Sequence, residues 1–130
     1  MVGELAMLHH RRQGRKTIVL LPTRALARQQ ADGFQGAYRE LGLRVIMSTG
    51  EVVDDDDLFR RDQYDVAVFT YEKFAAVVAA RPSALEPVGV IVFDEIQMIE
   101  DDSRGKSVEL LLLRLRRHQQ REGGPQLVVL

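Results

Sequence analysis

The sequence contains no cysteine among its 130 residues. The chain therefore forms no disulfide, and it offers neither a thiolate metal site nor a cysteine nucleophile. A strong charge of one sign is also missing, because positive and negative side chains nearly balance to a net charge of −1. Any contact with a polyanion must then depend on the local placement of arginine and lysine and not on a global basic field.

Long apolar segments are absent as well. No uninterrupted apolar stretch approaches the roughly 20 residues that a membrane-spanning helix needs. The amino-terminal segment MVGELAMLHHRR has its basic residues on the wrong side for a secretory signal. The length suits one domain with a single core. We therefore expect a single soluble domain, not secreted and with no membrane partner.

Short apolar runs alternate with helical patterns along the chain. Strands are predicted over residues 17–21, 45–47, 64–69, 88–93 and 126–130, and helices over about 3–13, 24–41, 71–80 and 106–120. This alternation predicts an α/β fold, in which helices flank a parallel sheet. The acidic run Asp54–Asp57 has neither the glycine nor the distal glutamate of a calcium loop, so we interpret it as a solvated, mobile loop.

Helical periodicity predicts which faces of the longer helices are buried. In the helix predicted over 24–41, the buried face should consist of Phe34, Ala37, Tyr38 and Leu41. In the last helix, it should consist of Val108, Leu111, Leu112 and Leu115. The four consecutive leucines Leu110–Leu113 extend beyond one face, which predicts that the last helix is buried on two sides.

Two adjacent carboxylates, Asp94 and Glu95, follow the fully apolar run Val90–Phe93. Such a run is typical of a strand buried on both faces of a parallel sheet. Ligands of these sheets bind at the carboxyl ends of the strands, and hard oxygen ligands suit Mg²⁺. The sequence thus predicts a site for a metal-bound phosphate here, although acidic residues also commonly follow strands in α/β folds.

Three segments occur in a characteristic order: LPTRALARQQ at 21–30, VFTYEKF at 68–74 and DEIQ at 94–97. Together they resemble the first motor domain of superfamily 2 helicases of the DEAD/DEAH-box class. The stretch DEIQMIEDDSRGKSVELLLLRL looks most like the Ski-like branch. The resemblance covers the whole chain, so residues 1–130 are expected to form part of a RecA-like ATP-binding domain with a P-loop NTPase-type sheet. It implies ATP and Mg²⁺ as cofactors of the intact parent, and DNA or RNA, single-stranded or duplex, as its partner.

The resemblance also implies roles for the acidic motif. Asp94 and Glu95 would hold Mg²⁺, and Glu95 would activate the water that attacks the γ-phosphate. Gln97 would relay the nucleotide state to a second motor domain, unless it is merely a solvated loop residue.

Contacts to the nucleic-acid backbone are implied at Pro22, Thr23, Arg24, Gly50, Thr70, Glu72 and Lys73. Thr23 and Thr70 each follow a predicted strand, where a threonine can cap the next helix while free backbone N–H groups face an anion. Such contacts give affinity without sequence readout, and they depend strongly on salt. Capping alone, and a simple turn at Gly50, are the alternatives.

The family's G-x-x-x-x-G-K-[ST] loop does not occur in the sequence. Gly105-Lys106-Ser107 imitates its end, but Glu100 stands where the first glycine should be. We therefore expect a fragment truncated at both ends, without the P-loop and the second motor domain, and inactive alone. Its location would be cytoplasmic, or nucleoid or nuclear if directed at DNA. The alternatives are a catalytically dead backbone-binding module and a flavodoxin-like regulatory or ligand domain.

Overall fold

The computed structural model describes residues 14–49, 53–98, 102–121 and 124–130. The strands are β1 (Lys16–Leu21), β2 (Val45–Ser48), β3 (Val66–Thr70), β4 (Val88–Phe93) and β5 (Gln126–Val129). The helices are α1 (Arg24–Tyr38), α2 (Val53–Arg60), α3 (Tyr71–Ala80) and α4 (Asp102–Gln119), and short 3-10 turns span Arg39–Leu41, Pro82–Leu85 and Ile96–Met98. The helix predicted over residues 3–13 lies outside the described residues.

The strands form one sheet in the order β2-β3-β1-β4-β5, and every neighbouring pair is parallel. β1 occupies the centre, where Leu21 pairs with Thr70 of β3 and Leu20 pairs with Phe93 of β4. Each strand returns to the same direction through a helical crossover, as parallel pairing requires. The predicted α/β class, with helices flanking a parallel sheet, is confirmed.

The core consists of two layers, one on each face of the sheet, because successive side chains of a strand point to opposite faces. In β1, Ile18 and Leu20 join the layer that packs against α2, α3 and α4. Val19 and Leu21 join the layer that packs against α1. All four side chains are buried, so β1 is covered on both faces, as its continuous apolar run predicts.

Helix α1 buries a different stripe from the predicted one. Phe34 and Tyr38 are buried as expected, but Ala37 and Leu41 are exposed, and Ala27 and Ala31 complete the buried face instead. The chain tightens into a 3-10 turn after Tyr38 and ends at Gly42 in the left-handed conformation, with φ +71°. This change of rotation turns Leu41 away from the sheet.

The acidic run was wrongly interpreted as a loop, because Asp54–Asp57 lies within helix α2. Carboxylates near the first turn of a helix are stabilised by its dipole, which offsets the low helix propensity of aspartate. Phe59 then anchors α2 in the core, where it packs against Phe69 with ring centroids 4.9 Å apart. Leu58 also packs against this core layer, and two adjacent apolar residues leave little periodic signal in the sequence.

Among the side chains described from Val108 onward, helix α4 is buried on one side and exposed on the other, which contradicts the predicted burial on two sides. Val108, Leu111 and Leu115 are buried against the sheet layer, whereas Leu110 and Leu113 are exposed. Gly105-Lys106-Ser107 lies inside this helix and not in a phosphate-binding loop. Within the described ranges, no helix combines the length and apolar content needed to cross a lipid bilayer.

Replacing Phe74 by alanine should destabilise the fold strongly. Phe74 is fully buried in α3 and contacts Phe69 with ring centroids 5.2 Å apart. Phe74→Ala should lower the free energy of unfolding by about 3–5 kcal/mol, measured by urea denaturation. The exposed Leu110→Ala is the control and should change it by less than about 0.5 kcal/mol. Equal effects of the two substitutions would contradict the described core.

Candidate functional site

The predicted site residues that the structure describes lie at one edge of the sheet. All strands are parallel, so their carboxyl ends meet at the same edge. The chain leaves β1 towards Thr23, β2 towards Thr49 and β4 towards Asp94, while Thr70 is itself the last residue of β3. This is the edge at which open α/β sheets bind their ligands.

Two of the helices that begin at this edge, α1 and α3, are each capped by a threonine. The Thr23 hydroxyl accepts a hydrogen bond from the backbone N–H of Leu26 at 3.2 Å. The Thr70 hydroxyl accepts one from the backbone N–H of Lys73, also at 3.2 Å. The amino-terminal ends of α1 and α3, which carry partial positive charge, therefore face the same edge.

An open cleft of about 630 Å³ lies between these two helix starts. Its lining consists of Pro22, Thr23, Arg24, Ala25, Thr49, Thr70, Glu72, Lys73 and Ala76. We call this feature the threonine cleft. Six of the predicted backbone-contact residues line it, and the seventh, Gly50, lies outside the described residues. The structure thus brings together two segments that are far apart in the sequence.

The cations of the threonine cleft differ in their surroundings. Arg24 is exposed at the start of α1. Lys73 is partly buried, and its ammonium group lies 3.2 Å from a carboxylate oxygen of Asp56. Asp56 also accepts a hydrogen bond from the hydroxyl of Ser48. Sequence reasoning missed Asp56, because the acidic run gave no sign of which carboxylate would pair with Lys73.

The acidic pair lies at the same edge but does not line the threonine cleft. The backbone N–H of Asp94 donates to the carbonyl of Leu20 at 3.0 Å, which extends the β1–β4 pairing to the pair. Glu95 adopts the left-handed conformation, with φ +53°, which is unfavourable for a residue other than glycine. The Gln97 amide donates to the Glu95 carboxylate at 2.9 Å. Asp94, Glu95 and Gln97 therefore form one short, constrained turn.

Tyr71 connects this turn to the threonine cleft. Its hydroxyl donates to the backbone carbonyl of Asp94 at 2.9 Å, and its ring stacks on Phe93 with centroids 6.0 Å apart. Burial raises the pKa of Tyr71 above its usual range, and the carboxylates of Asp94 and Glu95 raise it further. The hydroxyl therefore stays protonated and remains a donor. Its neighbour Thr70 lines the cleft, so a single side chain links the two regions.

The donor set for a divalent cation is small. Among residues 14–49, 53–98, 102–121 and 124–130, no group of three or more histidine or carboxylate side chains could hold a metal ion. Asp94 and Glu95 offer two partly buried carboxylates on adjacent residues. This is compatible with Mg²⁺, which usually binds through one or two carboxylates, keeps several waters and takes its other ligands from substrate phosphates.

Comparison with protein families identifies the chain. A family model described as DEAD/DEAH box helicase matches residues 1–130. The chain belongs to the DEAD/DEAH box helicase family. The family assigned from the three sequence segments is thus confirmed, whereas the Ski-like branch remains a prediction.

Two curated relatives are proteins named ATP-dependent DNA helicase Hel308. The one from Methanocaldococcus jannaschii is 32% identical over 122 residues, which cover 89% of this chain and 10% of the relative. The one from Caldivirga maquilingensis is 38% identical over 102 residues, which cover 78% of this chain and 13% of the relative. The chain therefore spans only a small part of the length of the relatives it matches.

A solved structure supports the fold. The crystal structure of the DUF1998 helicase MrfA matches with a TM-score of 0.74 and 18% identity, over 90% of this chain and 19% of that one. At this level of identity the likeness concerns the fold alone. The parallel sheet and its flanking helices are therefore RecA-like, as the sequence predicted.

Removing the Tyr71 hydroxyl should weaken the link between the two regions. Tyr71→Phe keeps the ring but loses the hydrogen bond to Asp94, so the free energy of unfolding should fall by about 1 kcal/mol in urea denaturation.

Tyr64→Phe is the matched control for that measurement. Tyr64 is also buried, but its hydroxyl has no hydrogen-bond partner among the described residues. Removing a buried hydroxyl without a partner should leave stability unchanged or increase it. A loss in Tyr64→Phe as large as that in Tyr71→Phe would show that the Tyr71 hydrogen bond contributes nothing specific.

Proposed function

We propose that this chain supplies the nucleic-acid backbone contacts and the acidic motif of a RecA-like domain in an ATP-dependent DNA helicase. The observation that carries the proposal is the threonine cleft, where two capped helix starts converge with Arg24 and Lys73. DNA is favoured over RNA because the relatives from Methanocaldococcus jannaschii and Caldivirga maquilingensis are named as DNA helicases.

In this proposal the threonine cleft binds the phosphates of a single strand. The starts of α1 and α3 offer backbone N–H groups and partial positive charge, which suits a phosphate. Arg24 and Lys73 add full positive charges. Glu72 would not bind phosphate; its carboxylate lies in the first turn of α3 and offers an acceptor to an N–H group of a base. Gly50 remains a predicted contact.

The turn formed by Asp94, Glu95 and Gln97, called the acidic turn below, would bind the nucleotide. Asp94 and Glu95 would hold Mg²⁺, which neutralises negative charge on the phosphates when it is bound. The Glu95 carboxylate would orient the attacking water and accept its proton. The strained backbone of Glu95 and its hydrogen bond from Gln97 support a functional role, since strain of this kind often occurs at functional sites. Gln97 would transmit the nucleotide state to a second motor domain.

The 130 residues alone are proposed to bind the backbone without catalysis. Their sequence contains no G-x-x-x-x-G-K-[ST] loop. This loop provides the backbone N–H groups and the lysine that hold the triphosphate in P-loop enzymes. A second motor domain, which would supply arginine fingers, is expected in the intact parent, and losing such a finger costs about 10³–10⁵ in rate.

Arg24→Ala should weaken the binding of single-stranded DNA. We expect about threefold to tenfold lower affinity for a fluorescently labelled oligodeoxythymidine at low salt, because one phosphate contact is lost. The slope of log affinity against log salt should become shallower by about 0.7. Fluorescence anisotropy at several salt concentrations measures both quantities.

Arg117→Ala is the matched control for this measurement. Arg117 is exposed in the last turn of α4, which leads to the start of β5 at the opposite edge of the sheet. The two variants change the net charge equally. Equal affinities of Arg24→Ala and Arg117→Ala would refute the threonine cleft as the binding surface, and so would equal affinities of Arg24→Ala and the wild type.

The 130-residue polypeptide should release no phosphate from ATP above the background rate. Steady-state phosphate release in the presence of Mg²⁺ tests this, with Glu95→Gln as the comparison. Turnover by the wild type that Glu95→Gln abolishes would contradict the proposed inactivity, while supporting the role of Glu95.

A further inference from the structure

Lys73 lies between two cavities. One is the threonine cleft, and the other is a smaller pocket of about 210 Å³. Ser48 and Asp56, together with Arg60 and Arg81, line the smaller pocket and not the threonine cleft. The Lys73 side chain can therefore interact either with a ligand in the cleft or with the carboxylate beside it.

Asp56 is held in place on the side of Lys73 away from the threonine cleft. One of its carboxylate oxygens lies 3.2 Å from the Lys73 ammonium group, and the other accepts a hydrogen bond from the Ser48 hydroxyl. Ser48 is fully buried at the end of β2, which fixes the carboxylate relative to the sheet. The side chains of Lys73 and Asp56 are 28% and 23% exposed, so solvent screens this pair less than a fully exposed one.

We propose that Asp56 is an intramolecular competitor of the DNA backbone for Lys73. A phosphate in the threonine cleft gains the full attraction of Lys73 only if the ammonium group leaves Asp56, and the remaining carboxylate then repels the phosphate. Asp56 would thus lower the affinity for the strand below the value that the cations of the cleft alone would give. Reversible binding suits a motor that must release the strand in each cycle.

Asp56 could instead support the binding of DNA, and this role predicts a change in affinity of the opposite sign when Asp56 is neutralised. If Asp56 merely orients Lys73 towards the strand, its neutralisation should weaken binding. If Asp56 competes, its neutralisation should strengthen binding and increase the number of counterions released, because one more cation becomes available to phosphate.

The test compares Asp56→Asn with Asp57→Asn in binding to the same labelled oligodeoxythymidine. Both variants raise the net charge by one, and both positions are in α2. Asp57 pairs instead with Arg61 at 3.4 Å, in an exposed pair whose side chains are 58% and 67% accessible. Asparagine at position 56 keeps an oxygen that can accept the Ser48 hydrogen bond, so the fold should be retained, and thermal unfolding monitors this.

We expect Asp56→Asn to bind about threefold to tenfold more tightly than Asp57→Asn, with a salt slope steeper by about 0.7. Asp56→Glu, which retains the charge, should bind like the wild type even if the asparagine variant is less stable. In the Lys73→Ala background, Asp56→Asn should give a smaller gain, because the cation it releases is absent and only the repulsion between Asp56 and the phosphate is removed.

The inference rests on the proposed DNA binding, and the outcomes separate the two. Equal affinities of Asp56→Asn and Asp57→Asn, weaker binding by Asp56→Asn, or a gain of undiminished size with Lys73→Ala would each overturn the inference while DNA binding stands. Absence of binding by the wild type and all variants would overturn the proposed function, and the competitor role with it.

Discussion

The parallel pairing of β1 with both β3 and β4 is the constraint on which the candidate site depends. It aligns Leu21 with Thr70 and Leu20 with Phe93, so three strands end at one edge of the sheet. Without this register, the capped starts of α1 and α3 could not border one cleft. The burial of β1 on both faces stabilises the arrangement, because a shift by one residue would exchange its two core layers.

In the proposed function, binding of DNA by this nearly neutral chain depends on the local placement of its charges. The net charge is only −1, yet the threonine cleft combines two helix starts with Arg24 and Lys73. Asp56, which pairs with Lys73, is proposed to weaken the attraction of this cleft for phosphate. The position of each carboxylate therefore matters more than the total charge. Asp57, one residue further along α2, pairs with Arg61 and not with a cation of the cleft.

The acidic turn and the threonine cleft are separate regions that share a structural link. Tyr71 follows the cap residue Thr70 and donates its hydroxyl to the backbone of Asp94. A change in the conformation of the Asp94–Glu95 turn must therefore either carry Tyr71 along or break this hydrogen bond. In the proposed function, this hydrogen bond connects the nucleotide site to the strand-binding site within one domain.

The sequence by itself determined the features that depend on neighbouring residues. Apolar runs predicted the strands, and the threonine caps at Thr23 and Thr70 bond only three residues ahead. Only the tertiary structure decided which elements meet. Lys73 and Asp56 are 17 residues apart, Tyr71 and Asp94 are 23 apart, and both contacts require the packing of different elements on the sheet. The acidic run was misjudged for the same reason: local composition favoured a loop, whereas the helix dipole and the distant core made it a helix.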